Sequence, residues 1–277
     1  MILASALAAG LGLLVAAVGH GTGSPVVTMF VAIVAGVSLG SCTGIRDDVT
    51  PGRSGVRALF EPASMSAVQS VILTLAVALS RCVALPPPSL WIILFLATFS
   101  GALMGRILST LCGSVAAAVL WLPLLLVPQV IFGGLLFPFY PTQPFAVDAR
   151  SGKVEVMPPA LAPRTAISWP LQIGGGLVVS RWALEAYAAL VYERDLANPA
   201  ALREATAVNA AVPVLFGDDI AHPLWLHVRA QSLGEPTTVP RLRGGSAYYL
   251  VVLLVFAGVE AAALLAIRQS REPRPAA

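Results

Sequence analysis

Ionisable side chains inside apolar stretches carry the clearest chemical consequence in this chain. Glu260 lies within the run Ala247–Ile267, about two turns before Arg268. A charge at the centre of a membrane helix costs about 2.5–3.5 kcal/mol on insertion scales, and less towards the helix end. A carboxylate at position 260 is therefore expected to reach the nearer aqueous face or to pair within a helix bundle, with proton coupling as the rival role. Arg106 is expected to extend its charged head to the same face along its aliphatic stem. Arg181 and Glu185 are spaced i, i+4, which suits a local ion pair on an outer helix.

Other chemistry is missing. The chain contains no GxxxxGK[ST], HExxH or GxSxG pattern, so neither a phosphate-binding loop nor a hydrolytic centre is expected. His222 and His227 are five apart with Pro223 between them, which keeps them off one helical face and argues against a metal site. The three cysteines, Cys42, Cys82 and Cys112, form no CxxC and are expected to be buried free thiols. No catalytic residue, no metal ligand and no cofactor is assigned to this chain.

The elements that carry these residues follow from the distribution of apolar runs. Hydrophobic residues make up 57% of the sequence and charged residues 11%, against about 25% charged in a soluble domain. The net charge of +3 is dispersed through loops, which gives no basis for nucleic-acid binding. A bilayer core about 30 Å thick needs roughly 20 apolar residues per helical crossing. Backbone groups have no water partner there, so each crossing must be a helix. Six runs qualify, at about 2–19, 26–45, 66–85, 90–111, 114–137 and 247–267, and residues 138–245 form one large loop between the fifth and sixth. The predicted fold class is all-α, a polytopic membrane protein in a single domain over 1–277.

Orientation follows from basic residues in the short loops. Arg46, Arg53 and Arg57 follow the second span, Arg106 lies on that side, and Arg268, Arg271 and Arg274 occupy the tail. The opposite short loops offer Arg81. Both termini are thus expected in the cytoplasm, with the large loop outside, in a cell membrane. No Lys or Arg precedes the first apolar run, which argues against a signal peptide. Arg dominates the basic residues, Lys153 being the single Lys, and with the Ala and Pro content this coding bias suggests a bacterial source. Pro86-Pro87-Pro88 is expected to stiffen the turn between the third and fourth spans. Within the outer loop, Asp148–Glu155 is polar and turn-rich. Ala162–Tyr192 is apolar but broken by Pro170 and Gly174-Gly175-Gly176, which suits a segment that is re-entrant or lies at the membrane surface. Its part from Leu177 to Arg194 has helical character.

The stretch Trp121–Tyr140 reads WLPLLLVPQVIFGGLLFPFY. Two prolines remove helical hydrogen bonds, and Gly133-Gly134 permit close backbone approach. Within it, Pro128 to Leu136 resembles the fifth span of the G-subfamily of ABC transporters, the type-2 exporters, which ends in a Phe-small-Gly-Leu-Leu pattern before the outer loop. Ser180-Arg181-Trp182-Ala183-Leu184-Glu185-Ala186 is similar to the family's small-Arg-aromatic motif, and Gly44-Ile45-Arg46-Asp47-Asp48 to the start of its coupling segment. Span order, loop side and loop size agree with the same family. The resemblance implies a permease that pairs about a two-fold axis, as a homodimer or with a second permease. An apolar or amphipathic substrate would occupy the cavity between the two copies. Leu135 and Leu136 would form a plug below the outer exit, with Phe132 facing the same region. Arg46, Asp47, Asp48, Arg53, Arg57 and Glu61 would lie in the segment that touches an ABC ATPase subunit, where ATP and Mg would bind.

Two features depart from the family pattern. The coupling stretch reads Val49-Thr-Pro-Gly-Arg-Ser-Gly in place of a Glu- and Arg-rich run, and the ATPase that usually precedes the first span is expected to be separate or missing. An ion-coupled secondary transporter using Glu260 is the alternative, opposed by the absence of an inverted repeat and of clustered intramembrane acids. A non-transporting membrane scaffold is a third possibility.

Overall fold

Proline and glycine set the helix ends that place everything else. Pro86 is extended at φ −62°, ψ 139°, and Pro87 and Pro88 occupy the first two positions of a helix that runs to Cys112. Proline is tolerated there because the first helical N–H groups have no intrahelical acceptor. That helix stops at Gly113, whose φ of 71° is left-handed and whose N–H donates to the Ser109 carbonyl at 3.1 Å. Ser114 then turns extended and its Oγ accepts from the Ala117 N–H at 3.2 Å, starting the next helix at Val115. The expected tight connection between the fourth and fifth apolar runs is thus a left-handed cap followed directly by a serine cap.

A computed structural model describes residues 2–22, 25–45, 57–81, 83, 85–133, 145–147, 154–156, 175–197 and 246–271. Seven helices are described: α1 (Ile2–Thr22), α2 (Pro25–Gly44), α3 (Arg57–Leu79), α4 (Pro87–Cys112), α5 (Val115–Ile131), α6 (Val179–Ala197) and α7 (Ser246–Arg271). One short antiparallel ribbon pairs β1 (Phe145–Val147) with β2 (Val154–Val156), Ala146 opposite Glu155, so the turn-rich stretch from Asp148 falls between its strands. Apart from this ribbon the described fold is all-helical.

Among the described residues, four helices are long and apolar enough to cross a membrane: Val27–Gly44, Leu59–Leu79, Pro87–Cys112 and Ser246–Ser270. The apolar segments Ala6–Gly21 and Val115–Ile131 are shorter. Four helices of span length are fewer than the six expected from the apolar runs. Leu120, Phe60 and Leu13 are 81%, 77% and 74% exposed on the outside of the bundle, an arrangement water would penalise and lipid favours. This is the build of a membrane-embedded protein.

The third helix differs most from expectation. It starts at Arg57, nine residues ahead of the apolar run predicted from residue 66, and ends at Leu79 rather than 85. Hydropathy alone missed its first turns because Glu61 there is held by a partner on α4. The far end stops because Arg81 adopts a left-handed φ of 56°. Helix α5 likewise ends at Ile131, short of the predicted 137, with Phe132 as its C-cap.

The core is a seam between α2 and α4. A methyl group on Gly40 would overlap the Thr98 carbonyl oxygen, one on Gly44 the Ala102 carbonyl, one on Gly101 the Val37 carbonyl, and one on Gly105 the Ser41 carbonyl. The contacts ascend together in both helices, so α2 and α4 run parallel with their backbones in touch. The spacing is Gly-xxx-Gly-xxx-Gly (36, 40, 44) on one helix and Gly-xxx-Gly (101, 105) on the other, the small-residue pattern by which membrane helices gain close packing. Met29, Ile33, Leu73, Leu90, Ile93, Leu94 and Tyr249 are fully buried around it.

The bundle has two distinguishable ends. At one, Phe30 approaches Gly133, Gly19 approaches Thr28 and Ser80, and Trp182 meets Tyr249. At the other, Gly44 meets Arg106, and Arg106 meets Glu61. Successive helices from α1 to α5 therefore run in alternating directions, and α7 enters from the Phe30 end.

Candidate functional site

At the Phe30 end, α5, α6 and α7 meet in a buried polar junction. Gln129 would be an outlier in the apolar run of α5 were it not bonded twice to α6. Its side-chain Oε1 accepts from the Ser180 N–H at 3.1 Å, and its backbone carbonyl accepts from Ser180 Oγ at 2.5 Å. The first bond satisfies an N–H in the opening turn of α6, which otherwise has no partner within its own helix. The second uses the Gln129 carbonyl near the end of α5. Gly133 is required beside them, because a Cβ there would lie 2.6 Å from the Phe30 ring and 2.9 Å from Ser180 Oγ.

One residue on, Arg181 Nε donates to Glu185 Oε1 at 2.8 Å, and both side chains are about 10% exposed. The i, i+4 pair read from the sequence is present, and it is buried rather than superficial. Arg181 also lies 5.2 Å from the Trp182 ring centre. Trp182 donates its indole N–H to the Gly176 carbonyl at 2.9 Å, and its ring stands 6.3 Å from that of Tyr249 on α7. Ser180, Ala183, Ala186 and Tyr187 are buried on the same helix. The residues that suggested the small-Arg-aromatic motif thus form the contact face of α6, and the helix expected over Leu177–Arg194 is observed as Val179–Ala197.

Gln129→Leu is expected to leave the Ser180 N–H without its acceptor at a buried site, at a cost of about 1–3 kcal/mol. The check is a faster proteolytic cut in the α5–α6 connection while the α2–α4 seam keeps its protection in hydrogen exchange.

Of the residues assigned to the outer plug, Phe132 is half-buried and donates its N–H to the Pro128 carbonyl at 2.8 Å. Leu135 and Leu136 lie outside the described residues. So do Arg46, Asp47, Asp48 and Arg53 of the coupling segment. Arg57 opens α3, and Glu61 sits in its second turn rather than in a loop. Glu61 Oε2 accepts from Arg106 Nη2 at 3.1 Å, with Glu61 35% and Arg106 5% exposed. Arg106 is therefore a buried, paired residue, not one that extends freely to an aqueous face. The reason is that the Gly105 contact holds this part of α4 against α2, leaving its side chain to run towards α3.

Glu260 accepts a hydrogen bond from Ser100 Oγ on α4, which selects the pairing within the bundle. Cys42 and Cys112 are free, but Cys42 is exposed, contrary to the burial expected from its apolar setting. Helix α2 turns its glycines to the core, and residue 42 points the other way. Cys82, His222 and His227 lie outside the described residues. Among the described residues no group of His, Cys, Asp or Glu could hold a metal.

Three features escaped the sequence reading. The Gly36/Gly40/Gly44 and Gly101/Gly105 series were detectable by their spacing. Gln129 was detectable as a lone amide in an apolar run. Ser100 carried no signal, because a serine in a membrane helix commonly bonds its own backbone, as Thr98 does with the Leu94 carbonyl at 2.7 Å. Comparison with protein-family models, with curated proteins and with solved structures returned no match.

Proposed function

We propose that this chain is the membrane permease of an ATP-driven exporter of the type-2 ABC class, moving an apolar or amphipathic substrate. The observation that carries this is the junction of Gln129, Ser180 and the Arg181–Glu185 pair. It ties the end of an apolar helix to α6, which begins after a break at Leu177-Val178. Such a lock lets the last turn of α5 and the first turn of α6 move as one piece. Phe132 is at that point, and Leu135 and Leu136 follow it in the chain.

In this scheme six helices cross the bilayer, α1–α5 and α7, with both termini and the Arg106 end in the cytoplasm and residues 138–245 outside. Alternating helix direction and the clustering of basic residues near one end support that placement. Two permeases pair, as a homodimer or with a second chain, and the substrate occupies the space between them. A separate ATPase subunit, carrying ATP and Mg, engages the segment containing Arg46, Asp47, Asp48, Arg53 and Arg57. Glu61, bonded to Arg106, links that segment to α4. The chain itself performs binding and conformational switching and no covalent chemistry, so it is not an enzyme.

The test is recovery of the solubilised chain from its native membrane with mass spectrometry of what accompanies it. A near-equal amount of an ATPase with a phosphate-binding loop is the expected result. Transport by the purified chain alone, driven by a proton gradient and lost in Glu260→Gln, would instead establish secondary transport. In vesicles that hold the complete complex, Leu135→Ala with Leu136→Ala is expected to open a passive leak at least about tenfold above the parent while ATP hydrolysis continues, because about 1.4 kcal/mol of lost barrier is a tenfold rate. A scaffold would show neither leak nor export.

A further inference from the structure

On α4, the rings of Trp91, Phe95 and Phe99 stack in succession, with centroids 5.4 Å and 5.8 Å apart and planes inclined by 22° and 2°. All three are partly exposed, while the neighbouring positions Ile93, Leu94, Leu96, Ala97 and Thr98 are buried. Eight residues of helix make this ladder about 12 Å long. At its Phe99 end, the next residue is Ser100, whose hydroxyl donates to Glu260 of α7.

Among the described residues, Glu260 makes no ion pair. It is the only charged residue between Ser246 and Ile267, and residues 87–105 of α4 contain none. Arg106 is engaged with Glu61 on α3. The neutral Ser100 hydroxyl supplies one hydrogen bond and no charge. An ionised carboxylate in an apolar span favours a counter-ion, and a ring face attracts cations that come within about 6 Å of it. On α7, Glu260 is itself partly exposed, as are Phe256 and Ala261 beside it.

We propose that the Trp91–Phe95–Phe99 ladder and Glu260 form a binding site for a lipophilic cation. The positive centre sits between Glu260 and the Phe99 ring, and the apolar body lies along the ladder towards Trp91. The site lies on the α4–α7 face, away from the Gln129–Ser180 junction, and does not depend on the exporter assignment. Shape alone would admit neutral and anionic molecules of the same size. Glu260 selects among them by charge.

The experiment is equilibrium binding of tetraphenylphosphonium to the full chain in nanodiscs of zwitterionic lipid, without ATP, with tetraphenylborate as the probe of like shape and opposite charge. Saturable binding of the cation alone is expected. Glu260→Gln should weaken it about tenfold or more, the loss of a single good charge contact, and Phe95→Leu should weaken it severalfold, whereas Glu260→Asp should retain most of it. Unaltered affinity in a folded Glu260→Gln chain would overturn the proposal. So would equal binding of the two ions by the parent chain, a comparison that stands even if no variant folds. Because no nucleotide or partner is present, failure here leaves the exporter assignment intact, and failure to recover an ATPase leaves this site intact.

Discussion

Gly40→Ala is expected to be the most damaging single methyl that can be added to this protein. The new Cβ would overlap the Thr98 carbonyl and press on the Ala102 N–H. Neither neighbour is a side-chain tip that could rotate away. Relief requires α2 and α4 to separate, which would undo the matching contacts at Gly44, Gly101 and Gly105 together. A cost of about 3 kcal/mol is expected, the upper end of ordinary overpacking. It should appear as a fall in Tm of roughly 10 °C for a chain of this size. Gly105→Ala should behave similarly, since it meets the Ser41 carbonyl. Gly10→Ala and Gly258→Ala are the controls: each Cβ would enter open space, and alanine is the better helix former. A thermal scan of the four variants in one detergent tests the seam. Equal Tm values for Gly40→Ala and Gly10→Ala would refute it.

Breaking the buried pair on α6 should cost at least as much. Glu185→Leu removes the carboxylate from the Arg181 guanidinium at a site that is 8% exposed, and removing one partner of a buried ion pair costs about 3–5 kcal/mol. Replacing both, as Arg181→Met with Glu185→Leu, should recover much of that loss, because no lone charge then remains buried. The measurement is a double-mutant cycle of unfolding free energies. Strict additivity of the two single changes would show that the 2.8 Å contact carries no coupling. The two predictions probe different parts of the molecule. The glycine seam concerns whether the bundle assembles, and the Arg181–Glu185 pair concerns whether α6 stays docked at the Phe30 end.

Particular residues show where local pattern sufficed. The predicted fifth run begins at residue 114, and Ser114 caps α5 there as its chemistry directs. The prolines at 86–88 mark a helix start because their φ and missing N–H groups suit that position. The spacing of Arg181 and Glu185 brought them together on any helix, so their pairing was legible before any packing was known. Glu61 was not legible in the same way. It lies with Arg57 and Pro62 ahead of the uninterrupted apolar run, and its partner Arg106 is 45 residues away. The burial of Arg106 was hidden for the same reason. Hydropathy assigns a lone arginine to the nearest aqueous face unless a partner is known.

Local pattern along the chain is enough to dictate its solvent and its grammar. Long apolar runs with few charges require helices in lipid, proline and glycine punctuate them, and i, i+4 pairs follow from helical geometry. The tertiary structure alone decided which helices touch. It set α2 against α4, joined Gln129 to Ser180 across 51 residues, and brought Glu260 to Ser100 across 160. In lipid an apolar surface is satisfied without any protein neighbour, so hydrophobic pattern specifies that a helix is buried in the membrane but not what it packs against. Close backbone approach at glycine and the pairing of buried polar groups supply that choice, and both depend on residues far apart in the chain.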